Sequence, residues 1–438
     1  MKKKIFLVLF LATAVGLFSQ EDKVWSLADC LEYAKENNLN VKSAKNSLET
    51  AEITLKQSKL NILPSVSGSA SETFSAGTNV DPITSEYVSM SSWSTNFGLS
   101  AQMSLYNGNR QYNTIQQNKL LVEKNSLAVE EIKNNITLQI IEAYLRTLYY
   151  KESITLAENN LAVSEKQEQQ AKVKYEIGTL SSKEYLSVVS QNAQNLYAVA
   201  NAQKQYDLQL LALKQLLELQ EVEKFEIEIP EIDVNNYRIL PEKEAVYNTA
   251  LATLPEIKSN DLQVEINERN LKIARAGYIP SLSLSGSIGT GFTGTQRGTF
   301  SDQMRRNFNQ RVGVSLSVPI FSRWNNRANE LKAKVNIEEA KLSQQTGNKE
   351  LYNKIENTWQ NAMSSINELE SAEIARTASQ EAYNVAIRQF ELGNMSSTDF
   401  MVEKNNYYSS ELKMLQIKYT IVIYYEMLQY YLGNEIKL

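Results

Sequence analysis

The chain has 438 residues, a net charge of −5 and 42% hydrophobic residues, which excludes both a disordered polar chain and the basic excess of a nucleic-acid binder. It has no His and one Cys, so the commonest general base, His-containing zinc sites, Cys–His dyads and internal disulfides are all missing. Seven Pro and 16 Gly with a mean hydropathy of −0.37 point to long uninterrupted helices and exclude a helical membrane protein.

Residues 2–4 are Lys, residues 5–18 are almost wholly apolar, and Ser19 precedes the polar Gln20, Glu21 and Asp22. This is the pattern of a secretory signal peptide over 1–19. The apolar run falls short of the roughly 20 residues that span a bilayer. Cys30 lies too far beyond it for a lipoprotein signal and is expected to pack inside a helix.

A first repeat is expected over 20–219. A helical stretch near 26–60 opens it. Residues 64–106 are Ser/Gly-rich and alternate with period two: Val66 stands between Ser65 and Ser67, and Phe97, Leu99, Ala101, Met103 and Leu105 alternate with Gly98, Ser100, Gln102 and Ser104. That predicts a hairpin of strands apolar on one face. A long helix is predicted over 108–176, which has no Pro and carries Val129, Ile132, Ile136, Ile140 and Tyr144 at helical spacing. At 1.5 Å per residue it is roughly 100 Å long. Gly178 ends it as a helix C-cap, and Ser181 with Glu184 opens a last helix over 181–219 as a capping box.

Residues 220–241 form a linker with one short strand, where Phe225, Ile227 and Ile229 alternate with Glu226 and Glu228. A second repeat, 242–438, then follows the same plan: helix, hairpin over 280–321, long helix over 323–391, Gly393, and a helix over 396–432 opened by Ser396 and Asp399. The duplication is explicit. Tyr175-Glu176-Ile177-Gly178 and Ser181-Ser182 recur as Phe390-Glu391-Leu392-Gly393 and Ser396-Ser397, an offset of 215 residues, and Leu63-Pro64-Ser65-Val66-Ser67 recurs as Ile279-Pro280-Ser281-Leu282-Ser283.

The strands have the length of membrane-spanning strands, and Trp93, Tyr106, Tyr278, Phe292, Phe308 and Phe321 sit near their ends, where interfacial girdles belong. A soluble sandwich would need a covering layer that rods of this length do not supply. Four strands cannot close a barrel, and an open sheet in lipid exposes unpaired backbone. Several copies are therefore required, with two, three or four of them giving eight, twelve or sixteen strands. Residues 78–92 and 293–307 are expected to be the outer loops.

The duplication, the start Ser26-Leu27…Leu31…Ala34…Asn37-Asn38, the two Pro-Ser strand openings and the two Gly blocks resemble the TolC family of outer-membrane efflux and export channels over nearly the whole mature chain. The fold class so implied is mainly α with β: a long α-helical barrel on a transmembrane β-barrel of twelve strands from a homotrimer. The resemblance also implies a passive exit duct for an efflux or type I secretion system. Its helices would run through the periplasm to an adaptor (membrane fusion) protein and an inner-membrane pump of RND, ABC or MFS type.

By the same resemblance Gly178 and Gly393 turn the helices at the periplasmic tip. Asp399, Glu403 one turn later, and Glu184 are the candidate pore residues, three Asp399 making a ring that favours cations. Some relatives lock the closed tip with a basic residue two positions after the second Gly; here Met395 stands there. Neither enzyme activity nor a cofactor, metal or nucleic-acid partner is expected, and a structural or adhesive surface coiled coil is the alternative.

Overall fold

The structure is a computed structural model that describes residues 24–80, 85–219, 225–434 and 436. The expected signal peptide, 1–19, lies outside the described residues. In chain order the elements are β1 (Val24–Trp25), α1 (Leu27–Asn37), α2 (Leu39–Leu60), β2 (Ser65–Val80), β3 (Tyr87–Tyr106), α3 (Arg110–Glu176), α4 (Ser182–Leu217), β4 (Glu226–Ile227), α5 (Lys243–Thr253), α6 (Pro255–Arg275), β5 (Ser281–Thr293), α7 (Phe300–Arg306), β6 (Asn309–Ser317), α8 (Asn325–Glu391) and α9 (Ser397–Tyr431).

Both opening stretches are broken helices, and each break has a local cause. Asn38 leaves helical geometry between α1 and α2; its side chain accepts from Asn40 N–H at 2.9 Å and donates to the Leu216 carbonyl at 3.0 Å. Leu254 is extended between α5 and α6, as the residue before a proline prefers, and Pro255 takes the first helical position, where its missing N–H costs nothing. α3 and α8 have 67 residues each, roughly 100 Å of unbroken rod.

The four long strands make one antiparallel sheet in the order β2-β3-β5-β6. Its register sorts the side chains. Val66 pairs with Ala101, Gly68 with Leu99, Ala70 with Phe97 and Phe74 with Trp93; Leu99 pairs onward with Ile288, and Leu282 and Leu284 with Leu316 and Val314. Since alternate residues share a face, one face is mainly apolar, broken by Glu72 opposite Thr95 and by Gln310 opposite Ile288. The other carries Ser67, Ser100, Ser287 and Arg311 in a row.

Three details depart from the sequence expectations. The first hairpin runs well past its aromatic pair, with 75–80 paired to 87–92, so most of the expected outer loop 78–92 is strand. The expected loop 293–307 contains α7, pinned by the buried Gln303, whose amide bonds Thr293 N–H (2.9 Å) and the carbonyls of Thr293 and Gln296 (3.2 and 3.1 Å). β6 stops at Ser317, short of Pro319, which has no N–H to give a ladder.

Around the sheet end of the rods α3 packs on α2 and α6, and α6 on α8; further along, α3 packs on α4 and α9, and α8 on α9. The largest core lies midway. There Ile140, Ile141, Tyr144, Leu145 and Leu148 of α3 are fully buried with Leu213 and Leu217 of α4 and Val422 of α9. β1 and β4 pair in parallel outside it, and the Tyr144 hydroxyl reaches the carbonyls of Trp25 (3.2 Å) and Glu228 (2.9 Å), tying this belt to the rod.

Candidate functional site at the helix tips

The α3–α4 and α8–α9 turns have the same geometry. Gly178 has φ +78° and Gly393 has φ +76°, with nothing within 4 Å of the place where a Cβ would stand. The left-handed backbone, rather than crowding, is what calls for glycine. Gly178 N–H bonds the Tyr175 carbonyl (3.0 Å) and Thr179 N–H the Lys174 carbonyl (2.9 Å); in the second turn Gly393 bonds Phe390 (3.1 Å) and Asn394 bonds Gln389 (2.8 Å). Each is a Schellman closure of the incoming helix.

The outgoing helices open on serine caps. Ser181 Oγ accepts from Glu184 N–H at 3.2 Å, while the Glu184 carboxylate accepts from the Ser181 hydroxyl (2.8 Å) and N–H (3.2 Å). The hydroxyl, and after it the N–H, hold that carboxyl below the usual carboxylate range. Ser396 Oγ likewise accepts from Asp399 N–H (3.1 Å) and donates to the Asp399 carboxylate (2.7 Å). Asp399 and Glu184 are thus both engaged at caps. Asp399 remains exposed, and Glu403 stands half-buried one turn further along the same helix. Met395 is half-buried in the turn.

The two tips touch each other. Met401 of α9 packs with Ala171 of α3 and Val188 of α4, and Lys174 Nζ lies 5.2 Å from the Phe390 ring centre. Further up the same seam Lys404 is buried, with Nζ donating to the Asn160 carbonyl (2.9 Å) and to Ser164 Oγ (2.6 Å). Sequence reasoning missed Lys404. The available signal was a lysine in phase with the apolar stripe Phe400, Met401 and Tyr407.

At the opposite end of the rods the sheet has two open edges, β2 and β6. Its apolar face stands bare: Val66, Val312, Val314 and Leu316 are each more than 60% exposed, too large an uncovered surface for a lone soluble chain. Among the described residues no helix is long and apolar enough to cross a membrane, and no group of three or more acidic or Cys side chains is placed to hold a metal ion.

Residues 30–218 and 246–434 each match the family described as outer membrane efflux protein. The chain belongs to the outer membrane efflux protein family. The two matched segments are the two repeats. Outer membrane protein TolC of Vibrio cholerae is 20% identical over 435 residues, covering 96% of this chain and 93% of that one. The alkaline protease secretion protein AprF of Pseudomonas aeruginosa is 22% identical over 311 residues, 68% of this chain and 61% of AprF. Among solved structures, the CmeC outer membrane channel of Campylobacter jejuni superposes with a TM-score of 0.77 at 18% identity, over 93% of this chain and 85% of CmeC. Family membership assigns the chain to the outer membrane as an efflux channel protein, with the bare-faced sheet as its membrane part and the rods as its periplasmic part. The surface coiled-coil alternative is not favoured.

Proposed function

We propose that the chain is one third of a passive exit duct. Three copies join β6 of one chain to β2 of the next, closing twelve strands into one barrel and lining up the rods as a periplasmic tunnel. The carrying observation is the sheet: mainly apolar on one face, serine-rich on the other, with both edges open. Lipid would cover the first face, water the second, and closure removes edges that a bilayer cannot satisfy. Three is the copy number that the family resemblance supplies.

The tips would dock on a periplasmic adaptor protein fed by an inner-membrane pump of RND, ABC or MFS type, in an efflux or type I secretion assembly; the likeness to AprF, a secretion protein by name, supports the second. The chain itself does no chemistry in this reading. It has no His, and the acidic groups at the tip serve as caps and as a ring. Gly178 and Gly393 form the turns, and Asp399, with Glu403 and Glu184 behind it, lines the narrow mouth. Rings of carboxylates favour cations.

Planar-bilayer conductance of the detergent-purified protein, with its oligomer mass measured on the same sample, tests the reading. Cation-preferring steps from a trimer are expected. A soluble, non-inserting protein overturns the duct and revives the surface coiled coil.

A further inference from the structure

Among the described residues Lys404 is the one buried basic side chain, 3% exposed. No carboxylate among the described residues pairs with it. Its ammonium meets the Asn160 carbonyl and Ser164 Oγ of α3. Ser164 Oγ also accepts from Asn195 Nδ2 of α4, and Asn195 Oδ1 accepts from Asn160 (3.4 Å) and Gln191 (3.2 Å). Asn160, Ser164 and Asn195 are buried too. One amine therefore ties three helices, and with them the helical hairpins α3–α4 and α8–α9, through a closed polar network. Burial, the one cause at work, pushes its pKa down to about 8. A buried cation without a counter-ion costs stability, and the best-attested reason to keep one is the register it imposes.

The duplication sharpens the point. The residue 215 positions earlier is Val189 on α4, so the first hairpin carries an apolar side chain where the second carries a cation. The buried ammonium is thus special to the seam between the α3–α4 and α8–α9 hairpins of one chain.

On an α-helix Asp399 and Glu403 lie about 140° and 100° round from Lys404. An anchored Lys404 fixes the rotation of the first turns of α9, and with it the direction those two carboxylates face. We propose that Lys404 is a positioning residue, keyed into Asn160, Ser164 and Asn195, that sets the register of α9 on α3 and so aims the acidic pair at the tip. Its consequence for permeation rests on the duct reading; its consequence for register does not.

Lys404→Met keeps the volume and the packing while removing the ammonium, and Ser164→Ala removes one acceptor from the other side. Nitroxide labels at the exposed Val402 (α9) and Glu165 (α3), in full-length assemblies diluted with unlabelled chains, report the register; Cys30 is fully buried and out of the label's reach. Lys404→Met is expected to at least double the width of the distance distribution, and Ser164→Ala to widen it less, with helix content and oligomer mass unchanged. Unaltered widths in both variants overturn the proposal.

In bilayers Lys404→Met is expected to lower the cation-to-anion permeability ratio about twofold. If Asp399→Ala shifts the ratio and Lys404→Met does not, the aiming role is overturned even where the widths change. If Asp399→Ala itself leaves the ratio unchanged, the pore ring fails, and the spin-label widths alone still decide the register role.

Discussion

Tyr175 and Tyr185 stack at the first tip with ring centres 5.0 Å apart and planes 8° apart, and 215 residues later Phe390 and Phe400 stack at 4.8 Å. The correspondence continues up each hairpin. Asn195 bonds Ser164 between α4 and α3, and the equivalent Ser410 bonds Ser379 at 2.7 Å between α9 and α8. The duplication is therefore kept in cross-helix contacts as well as in sequence. At Val189 and Lys404 the two halves differ, and only the second carries a buried cation there.

The two aromatic stacks differ in burial, and that separates their contributions. Phe400 is buried against Phe390 and Tyr383, whereas Tyr185 is half-exposed. Phe400→Ala should destabilise the second hairpin by about 3–5 kcal/mol, the usual cost of emptying a buried aromatic site. Tyr185→Ala should cost clearly less. Thermal unfolding midpoints in detergent, compared between the two variants, check the order; an equal drop would mean that the tips are buried alike in the assembly.

Capping and selectivity can be pulled apart at the second tip. Ser396→Ala deletes the hydroxyl that bonds Asp399 and should cost about 1 kcal/mol, as a lost N-cap does, without changing ion preference. Asp399→Ala should reduce the preference for cations in single-channel records. If only stability moves in both variants, Asp399 is a cap and nothing more.

The fold was legible because its signals are periodic or long: an alternation such as Phe97, Leu99, Ala101 survives any detail of packing, and 69 residues without proline over 108–176 admit little except a rod. The tip turns were legible because glycine and serine act locally, through φ and through a hydroxyl three residues from its target. Lys404 was not. Its meaning depends on Asn160 and Ser164, 244 and 240 residues away, and a lysine in an amphipathic helix is most often solvated. β1 was missed for a similar reason. Two residues, Val24 and Trp25, become a strand only when the linker strand at Glu226 and Ile227 lies beside them. The over-extended first hairpin has a third cause: Ser75–Val80 lacks the apolar alternation of a membrane strand, although a stretch of small residues such as Gly77 and Thr78 still pairs with β3.

Glu426 supplies a pH dependence. It is buried on α9, and burial pushes its carboxyl up to about 7 from the 4.5 of the unfolded chain. A raised carboxyl pKa means that the folded state holds a proton the unfolded state has released. Its stabilising contribution is complete below pH 4.5 and is lost as pH rises through 7. Between pH 5 and 8 the thermal midpoint of the wild type should therefore fall, and Glu426→Gln, which cannot ionise, should flatten that part of the curve. An equal slope in both proteins would place the dependence elsewhere.

The two faces of the sheet make opposite predictions for neighbouring residues. Leu99 lies on the apolar face between Gly68 and Ile288; Ser100 lies on the other, its Oγ 2.9 Å from Ser67 Oγ and its backbone beside Ser287. If lipid covers the first face, Leu99→Arg exposes a cation near the bilayer midplane at a cost of about 2–4 kcal/mol in each copy. A closed ring repeats that cost in every chain, so assembly in the outer membrane should collapse. Ser100→Arg should assemble normally, because its side chain enters water, and should narrow the lumen, lowering conductance and weakening the preference for cations. Outer-membrane fractionation with heat-modifiability of the oligomer reads the first variant, and bilayer recording the second. Should Ser100→Arg fail to assemble while Leu99→Arg inserts, the barrel is inside out relative to this assignment. That result would contradict the register-defined apolar face on which the membrane placement rests.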